Sequence, residues 1–562
     1  MYHPKMPAGL ASAPIVAFAM CLSVIGLSGC TKTQPLDKGL AAITGPGLAA
    51  NVEALSSDAF EGRGPSSPGE EKTVAFLRDG FAKLGLEPGN GDSWYQNVPL
   101  VSITTDPSAQ LDISGGSKRQ RLRYGTDYMA WTKRVVERSE IDRSDMVFVG
   151  YGIVAPEYNW DDYAGIDVTG KTVVILVNDP GYATQDDALF NGNAMTYYGR
   201  WTYKFEEAAR QGAAAALIVH ETGAAGYPWE VVSGSWSGPQ FTLAADDDNR
   251  GRCRVEGWLS HDAAEALFNA GGMDLATVSA LAAKPGFKSM PLQQRASLTL
   301  TNVLSRSNSR NVLALLPGSE RPNEFVLFTA HWDHFGRDTS LAGDQIYNGA
   351  VDNATGTAAL LELAKAFKAA GTPERSIVFI AVTAEEQGLL GSAYYAANPV
   401  YPTANTVAVI NIDALHPMGP ARDITVVGYG ASDLDDYVEQ AATAQDRVVR
   451  ADPQPEKGYY YRSDHFSFAK VGVPSLYMDP GTDNVEHGEE WAMAQLDDYT
   501  QNRYHKVSDE YSADWDMSGM ETDLRLMFRI AWRLANETTY PEWRDGNEFK
   551  AIREADRSGR GM

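Results

Sequence analysis

Positive charge is what this chain has least of. Against 73 Asp and Glu stand 48 Lys and Arg, a formal charge of −25 over 562 residues. Contacts to phosphate need clustered cations, so the balance disfavours nucleic acid as a partner. Cysteine is scarcer still: Cys21 and Cys30 fall in the N-terminal segment, and Cys253 stands alone between Arg252 and Arg254. No internal disulfide can form once that segment is removed, and a lone Cys in such a setting reads as a packed thiol rather than a nucleophile. Long apolar runs are missing too. The run from Ile15 to Leu27 is too short to span a bilayer as a mature helix, and no internal repeat is present. What remains is 44% apolar residues with 26 Tyr, the composition of a folded chain, and a length beyond one hydrophobic core. Two or three domains are expected.

Lys5 precedes the N-terminal apolar run, which ends in Leu27, Ser28, Gly29 and Cys30. This is the pattern of a targeting segment. Its end resembles a bacterial lipobox, in which cleavage falls before the Cys and the Cys carries lipid; an ordinary signal peptide cut after a small residue is the alternative. On the lipobox reading residues 1–29 are removed, Cys30 is acylated and residues 30–51 form a tether. Several acyl chains anchor stably, each buried methylene contributing about 0.8 kcal/mol. Thr31 lacks the Asp that this resemblance associates with inner-membrane retention. The expected location is the bacterial cell envelope, lipid-anchored at the outer membrane and facing the periplasm.

The chemistry gathers at strand ends. Phe325 to Ala330 reads as a buried parallel strand running directly into His331, Trp332 and Asp333. After a Gly-bearing loop, Asp352 and Asn353 precede a helical pattern whose Leu360, Leu363, Ala364 and Phe367 share a face. Two further strands, Ile377 to Val382 and Val407 to Ile410, lead into Glu385 with Glu386 and into Asp413; a further strand end is expected at Tyr504 and His505. Ligands of open α/β sheets gather at such edges. His331, Asp352, Glu386, Asp413 and His505 make two imidazoles and three carboxylates, a donor set suited to zinc. An excess of carboxylate lets one bridge two ions about 3.5 to 4 Å apart, and Glu385 is then left free as a base.

The motifs AHWDHFG, GAVDNATG, TAEEQGLLGS, NIDAL, RSDHFSF and YHKVSDE, in that order, resemble the co-catalytic zinc peptidases of the M28 family. The resemblance runs from about Leu55 to about Leu534 with an interruption. It implies two Zn2+ bridged by Asp352, a cis peptide to Asn353, and Glu385 as general base. Asp333 would orient the His331 imidazole, and Tyr504 would stabilise the oxyanion. Arg462 and Tyr461 would line the substrate. Glu61, Gly62 and Arg63 resemble a recurrent element of the family, with a polar loop salt bridge as the alternative. Of the other His, His334 reads as outer-sphere or exposed and His465 as wall, while His220, His261, His416 and His487 carry no motif.

The implied fold is α/β, a mixed, mostly parallel sheet sandwiched by helices. Residues 52–114 and 292–540 would form the peptidase domain and 541–562 a loose tail. Residues 115–291 read as a β-rich insertion similar to protease-associated domains, which cover part of the cleft. There, Asp246, Asp247 and Asp248 lack the alternating spacing of an EF-hand, so a solvated loop is favoured over calcium. The expected activity is removal of N-terminal residues from short peptides. Two rivals are a glutamate-type carboxypeptidase, which needs a cationic cradle for a carboxylate, and a non-catalytic ectodomain resembling transferrin receptor, which degraded ligands would favour. Neither oligomeric state nor preferred side chain is legible.

Overall fold

A computed structural model describes residues 34–558. The signal segment, Cys21 and the lipidation candidate Cys30 lie outside the described residues. Two helices, α1 (Pro35–Ala42) and α2 (Gly45–Leu55), occupy the stretch expected to be a tether. Each opens with a proline in its first turn, where the missing N–H has no helical partner to lose. Thr44 caps α2 by accepting from the Gly47 N–H. The Ala and Gly content hides an apolar face: Leu48, Val52 and Leu55 are buried, and Leu36 and Leu40 pack against the same core. Gly39 brings α1 close, since a Cβ there would stand 2.2 Å from Phe528 Cζ. α3 (Pro68–Lys83) buries Val74, Leu77 and Phe81 as its periodicity predicts.

The chain then builds a second lobe between two passes through the main sheet. Strand β1 (Tyr95–Thr105) leads to β2 (Gln110–Gly115), β3 (Arg138–Phe148), β4 (Thr172–Leu176), α4 (Trp201–Arg210), β5 (Ala215–Val219) and β6 (Val255–Leu259). Strands β3 to β6 pair in parallel, in sequence order, and Phe148, Val174, Leu217 and Val255 share a core of their own. Cys253 is buried beside it, its thiol pushed up to about 12 chiefly by burial. The seam is β7 (Met290–Leu316), 27 residues long. Its first half pairs with β2 and β3, its second with β1 and the main sheet. No Gly or Pro interrupts it after Pro291. The lobe therefore begins before residue 115 and ends inside β7, wider than the expected insertion.

The main sheet continues with β8 (Arg321–His331), α5 (Thr355–Ala370), β9 (Arg375–Val382), β10 (Thr406–Asn411), β11 (Asp423–Val427), β12 (Val448–Ala451) and β13 (Ser475–Pro480). Its order is β1, β7, β9, β8, β10, β13, β11, β12. The central β9, β8, β10 and β13 are parallel, flanked by antiparallel β7 and β11. Every residue of β9 and β10 is buried, as expected where helices cover both faces. α1, α2, α5 and α7 (Ser518–Asn536) pack on one face, and Phe325, Leu327, Ile380 and Phe468 fill the other. α6 (Glu489–Asn502) precedes α7.

The expected loose tail is instead docked. It carries α8 (Lys550–Ser558), and Arg553 donates to the carbonyls of Thr403 and Thr406 at 3.0 and 2.7 Å. Trp543 is buried, its Nε1 donating to Gly472 O at 2.9 Å. Composition suggested looseness because the few apolar anchors are widely spaced. Among the described residues no helix is long and apolar enough to cross a membrane. The docking of α1 predicts that Gly39→Val, which drives a branched side chain into Phe528, destabilises the protein by about 1–3 kcal/mol in urea denaturation. An undocked tether would leave the midpoint unchanged.

Candidate metal centre

Strands β8, β9 and β10 end at one edge, and the chain leaves two of these ends through left-handed backbone. Ala384 (φ 53) separates β9 from Glu385, and Ala414 (φ 57) follows Asp413. Each such non-Gly residue costs about 1–3 kcal/mol and is retained where surrounding structure demands it. His505 (φ 59) is the third, but it does not follow a strand. It lies in the turn after α6, so the expected strand end there is corrected. Periodicity in that stretch was weak, and the helix ends at Asn502. Asp352 precedes α5, and its peptide bond to Asn353 is cis.

All five expected ligands converge. His331 Nε2 lies 3.2 Å from Asp352 Oδ1 and 3.2 Å from Asp413 Oδ1. His505 Nε2 lies 3.3 Å from Asp352 Oδ2 and 3.2 Å from Glu386 Oε2. Asp352 thus offers one oxygen to each imidazole. Donors sharing one ion through bonds of about 2.0–2.2 Å stand roughly 3.3 Å apart in tetrahedral geometry, so both groups fit a divalent ion. Electrostatics agrees. Burial disfavours charge on His331, but Asp413, Glu385 and the bond to Asp352 outweigh it and raise its pKa well above the usual range. His505 is raised to about 10 against burial, by Glu386 and Asp352. Four carboxylates facing two imidazoles leave this buried site short of positive charge.

The remaining expected residues are placed as follows. Glu385 has its carboxylate within 4.8 Å of ligand atoms of His331 and Glu386. Burial first, then Asp413 and Glu386, push its carboxyl well up, with His331 opposing. The Asp333 carboxylate does not orient His331: it is 4.0 Å away, and the imidazole Nδ1–H donates instead to the Asp333 backbone carbonyl at 3.2 Å. The carboxylate turns the other way and accepts the Glu385 N–H at 3.1 Å, because the strand exit points it across to the end of β9. Tyr504, 36% exposed, stacks on His505 with ring centroids 3.7 Å apart, and desolvation of its hydroxyl, with the charge of Asp352, raises it well above its usual range. Arg462 is exposed, with its guanidinium 5.4 Å from the Tyr459 ring. Tyr461 faces elsewhere, its ring on Phe466 and its hydroxyl donating to Glu548 at 3.3 Å. Tyr459, not Tyr461, is the neighbour of Arg462.

Sequence reasoning underrated three residues. Arg63, read within a recurrent element with a polar loop salt bridge as the alternative, is fully buried and donates to the carbonyls of Leu55, Trp332, Asn348 and Gly349 at 2.6 to 2.9 Å. It ties the loop after β8 to the turn before Asp352. Asp509, inside the HKVSDE motif, accepts the N–H groups of Val351 and Asp352 at 3.1 Å. Its position four residues past His505 was the available signal. His334, read as outer-sphere or exposed, is buried, with Nδ1 2.5 Å from Glu386 Oε1.

Residues 311–528, which include every one of these ligands, match the model of peptidase family M28. Aminopeptidase NAALADL1 of Mus musculus is 33% identical over 138 residues, covering 23% of this chain and 17% of that protein. A probable zinc metalloprotease of Pyrenophora teres f. teres (strain 0-1) is 41% identical over 107 residues, covering 19% of this chain and 22% of that protein. The chain therefore spans less than a quarter of the length of either relative. Among solved structures, the aminopeptidase from Aneurinibacillus sp. strain AM-1 is 19% identical, with 90% of this chain and 97% of that chain covered and a TM-score of 0.49.

Arg63 generates the prediction of this section. Arg63→Met keeps the volume but leaves four buried carbonyls without donors, and a single such group costs about 1–3 kcal/mol. Thermal and urea unfolding should show a loss of about 3 kcal/mol or more, and a loss under 1 kcal/mol would remove Arg63 from the scaffold.

Proposed function

We propose that this protein is a zinc-dependent exopeptidase that removes N-terminal residues from short peptides. The observation that carries this reading is the pair of imidazole–carboxylate groups sharing Asp352, with Glu385 beside them and outside both. The M28 match and the aminopeptidase and zinc metalloprotease names of the relatives support it. His331, Asp352 and Asp413 would hold one ion, and His505, Asp352 and Glu386 the other. Two bound Zn2+ would supply Lewis acidity to the scissile carbonyl and to the attacking water.

The chain's own groups do the rest. Glu385, whose raised carboxyl can hold a proton, takes one from water and passes it to the leaving amine. Its backbone is held by Asp333, which fixes where that carboxyl points. Tyr504 stays protonated and donates to the oxyanion. Arg462, with Tyr459 beneath it, forms the rim. Direction follows from charge: a substrate's N-terminal ammonium suits a site lined by carboxylates.

One observation favours the reverse direction. Arg200, from the second lobe, is buried, and a Cβ on Gly458 would stand 3.5 Å from its Cδ. Burial first, then the charge of Arg462, lowers its pKa to about 10, and its Nε has no protein partner. Two neighbouring arginines beside the rim are the kind of group that holds a substrate carboxylate. Matched tripeptides decide: an aminopeptidase cuts the C-amidated peptide and spares the N-acetylated one, and the opposite result establishes the carboxypeptidase. Glu385→Gln should retain its metal and lower kcat by about 10^2 to 10^4. Metal content and kinetics on one preparation check this, and near-normal turnover ends the assignment of the base.

For location, we propose anchoring through acylated Cys30, on the lipobox resemblance. Cys30→Ser should release the protein from membranes or block maturation. Unchanged partitioning, together with a lipid-free wild type in mass spectrometry, would refute this.

A further inference from the structure

His334 stands three residues past His331 and has been given no role. Its Nδ1 is 2.5 Å from Glu386 Oε1, while Glu386 Oε2 is 3.2 Å from His505 Nε2. Two imidazoles therefore hold the two oxygens of one carboxylate, and the two separations differ in kind. At 3.2 to 3.3 Å, the contacts of His331 and His505 match donors that share an ion. At 2.5 Å there is room only for a proton between nitrogen and oxygen. Through Nδ1, His334 is set to bond to Glu386, while its Nε2 is buried without a protein partner.

Its surroundings keep it there. Gly349 has φ 53, and a Cβ on it would stand 2.6 Å from His334 Cγ and Cδ2, so the loop admits the ring only because that residue is glycine. The His334 N–H donates to the Arg63 carbonyl at 3.3 Å. Arg63 in turn binds Gly349 O at 2.8 Å, which closes a short circuit around the imidazole. Phe335 packs against it with ring centroids 4.9 Å apart.

We propose that His334 is a positioning residue for one of the two ion sites. Its Nδ1–H engages Glu386 Oε1, leaving Oε2 alone to face His505 and Asp352. The inference rests on the zinc reading above. It makes an asymmetric demand: loss of His334 weakens the ion held by His505 and Glu386, and spares the one held by His331 and Asp413. Partners that orient ligands typically contribute 10- to 100-fold in metal affinity.

The test is zinc binding, read without activity. Wild type, His334→Ala, His334→Asn and His334→Gln are titrated with zinc by calorimetry and dialysed against graded chelators, with bound zinc counted by atomic emission. An Asn amide N–H can reach the position of Nδ1, and a Gln amide overshoots it. The expected result is two tight ions in wild type, one ion weakened about 10- to 100-fold in the Ala and Gln variants, and recovery in the Asn variant. Two ions held as tightly in His334→Ala as in wild type overturn the proposal. Equal weakening of both ions in all variants also overturns it, because it marks a packing role. If His334→Ala fails to fold, the Asn and Gln pair decides, and an Asn variant no better than Gln is a refutation. A wild type that binds fewer than two ions sinks the zinc reading itself, and this is visible before any variant is made.

Discussion

The main-sheet half of this protein depends on a surplus of buried negative charge gathered around Asp352. That carboxylate shares its two oxygens between His331 and His505, and Asp413, Glu385 and Glu386 crowd the same edge of the sheet. Charges taken out of water must be paired, bonded or neutralised. All three solutions are visible. Asp352 and Glu386 stay ionised because bonds and charges from the imidazoles outweigh burial, and Glu386 is held at about 2. Asp333 and Asp464, with less compensation, are pushed up to about 8 and about 7 by burial. Arg63 contributes without an ion pair: it satisfies carbonyls and brings a positive charge near Asp509 and Asp352, while burial lowers its own pKa to about 10.

The second lobe reaches this scheme through the loop after β12 and through Lys470. Met195 N–H donates to Pro455 O at 3.1 Å, Asn193 reaches Glu456 at 3.2 Å, and Lys470 pairs with Glu206 at 2.9 Å. The segment held in this way, 455 to 461, leads straight into Arg462 and Ser463, and the Ser463 hydroxyl donates to Asp413 Oδ2 at 2.5 Å. Because β7 runs unbroken through both lobes, the lobe cannot shift freely against the main sheet.

The expected ligands at the ends of β8, β9 and β10 were legible in sequence because each rests on a local signal: an apolar run of strand length, then a carboxylate or imidazole. His331, Glu386 and Asp413 read this way, and Asp352 reads from a Gly-bearing loop that opens a helical pattern. The supporting partners did not, because their signals are long-range. Arg63 donates to carbonyls as far as 286 positions away, and nothing in the Glu61 to Arg63 triplet foretells it. α1 looked like a tether from its composition, and its role as a contact point for Phe528 appears only once α7 lies beside it. Asp333 was given the right residue type and the wrong partner: spacing places its carboxylate near both His331 and the end of β9, and only the strand register decides between them.

The adjacent pair Glu385 and Glu386 shows how one chain segment supplies two kinds of chemistry. Left-handed backbone at Ala384 turns the pair out of β9, after which consecutive side chains diverge. Glu386 falls between His334 and His505 and is stabilised as an anion. Glu385 falls among Asp413, Glu386 and Asp464, with His331 as its main positive neighbour, and its proton is held far more tightly. Neighbouring carboxyls driven apart in this way are suited to divided labour, the low one as a ligand and the high one as a proton carrier. The charge of Glu386 is itself part of what raises Glu385. Any group that fixes Glu386, as His334 does, therefore also acts on Glu385 through the field, although no bond connects them.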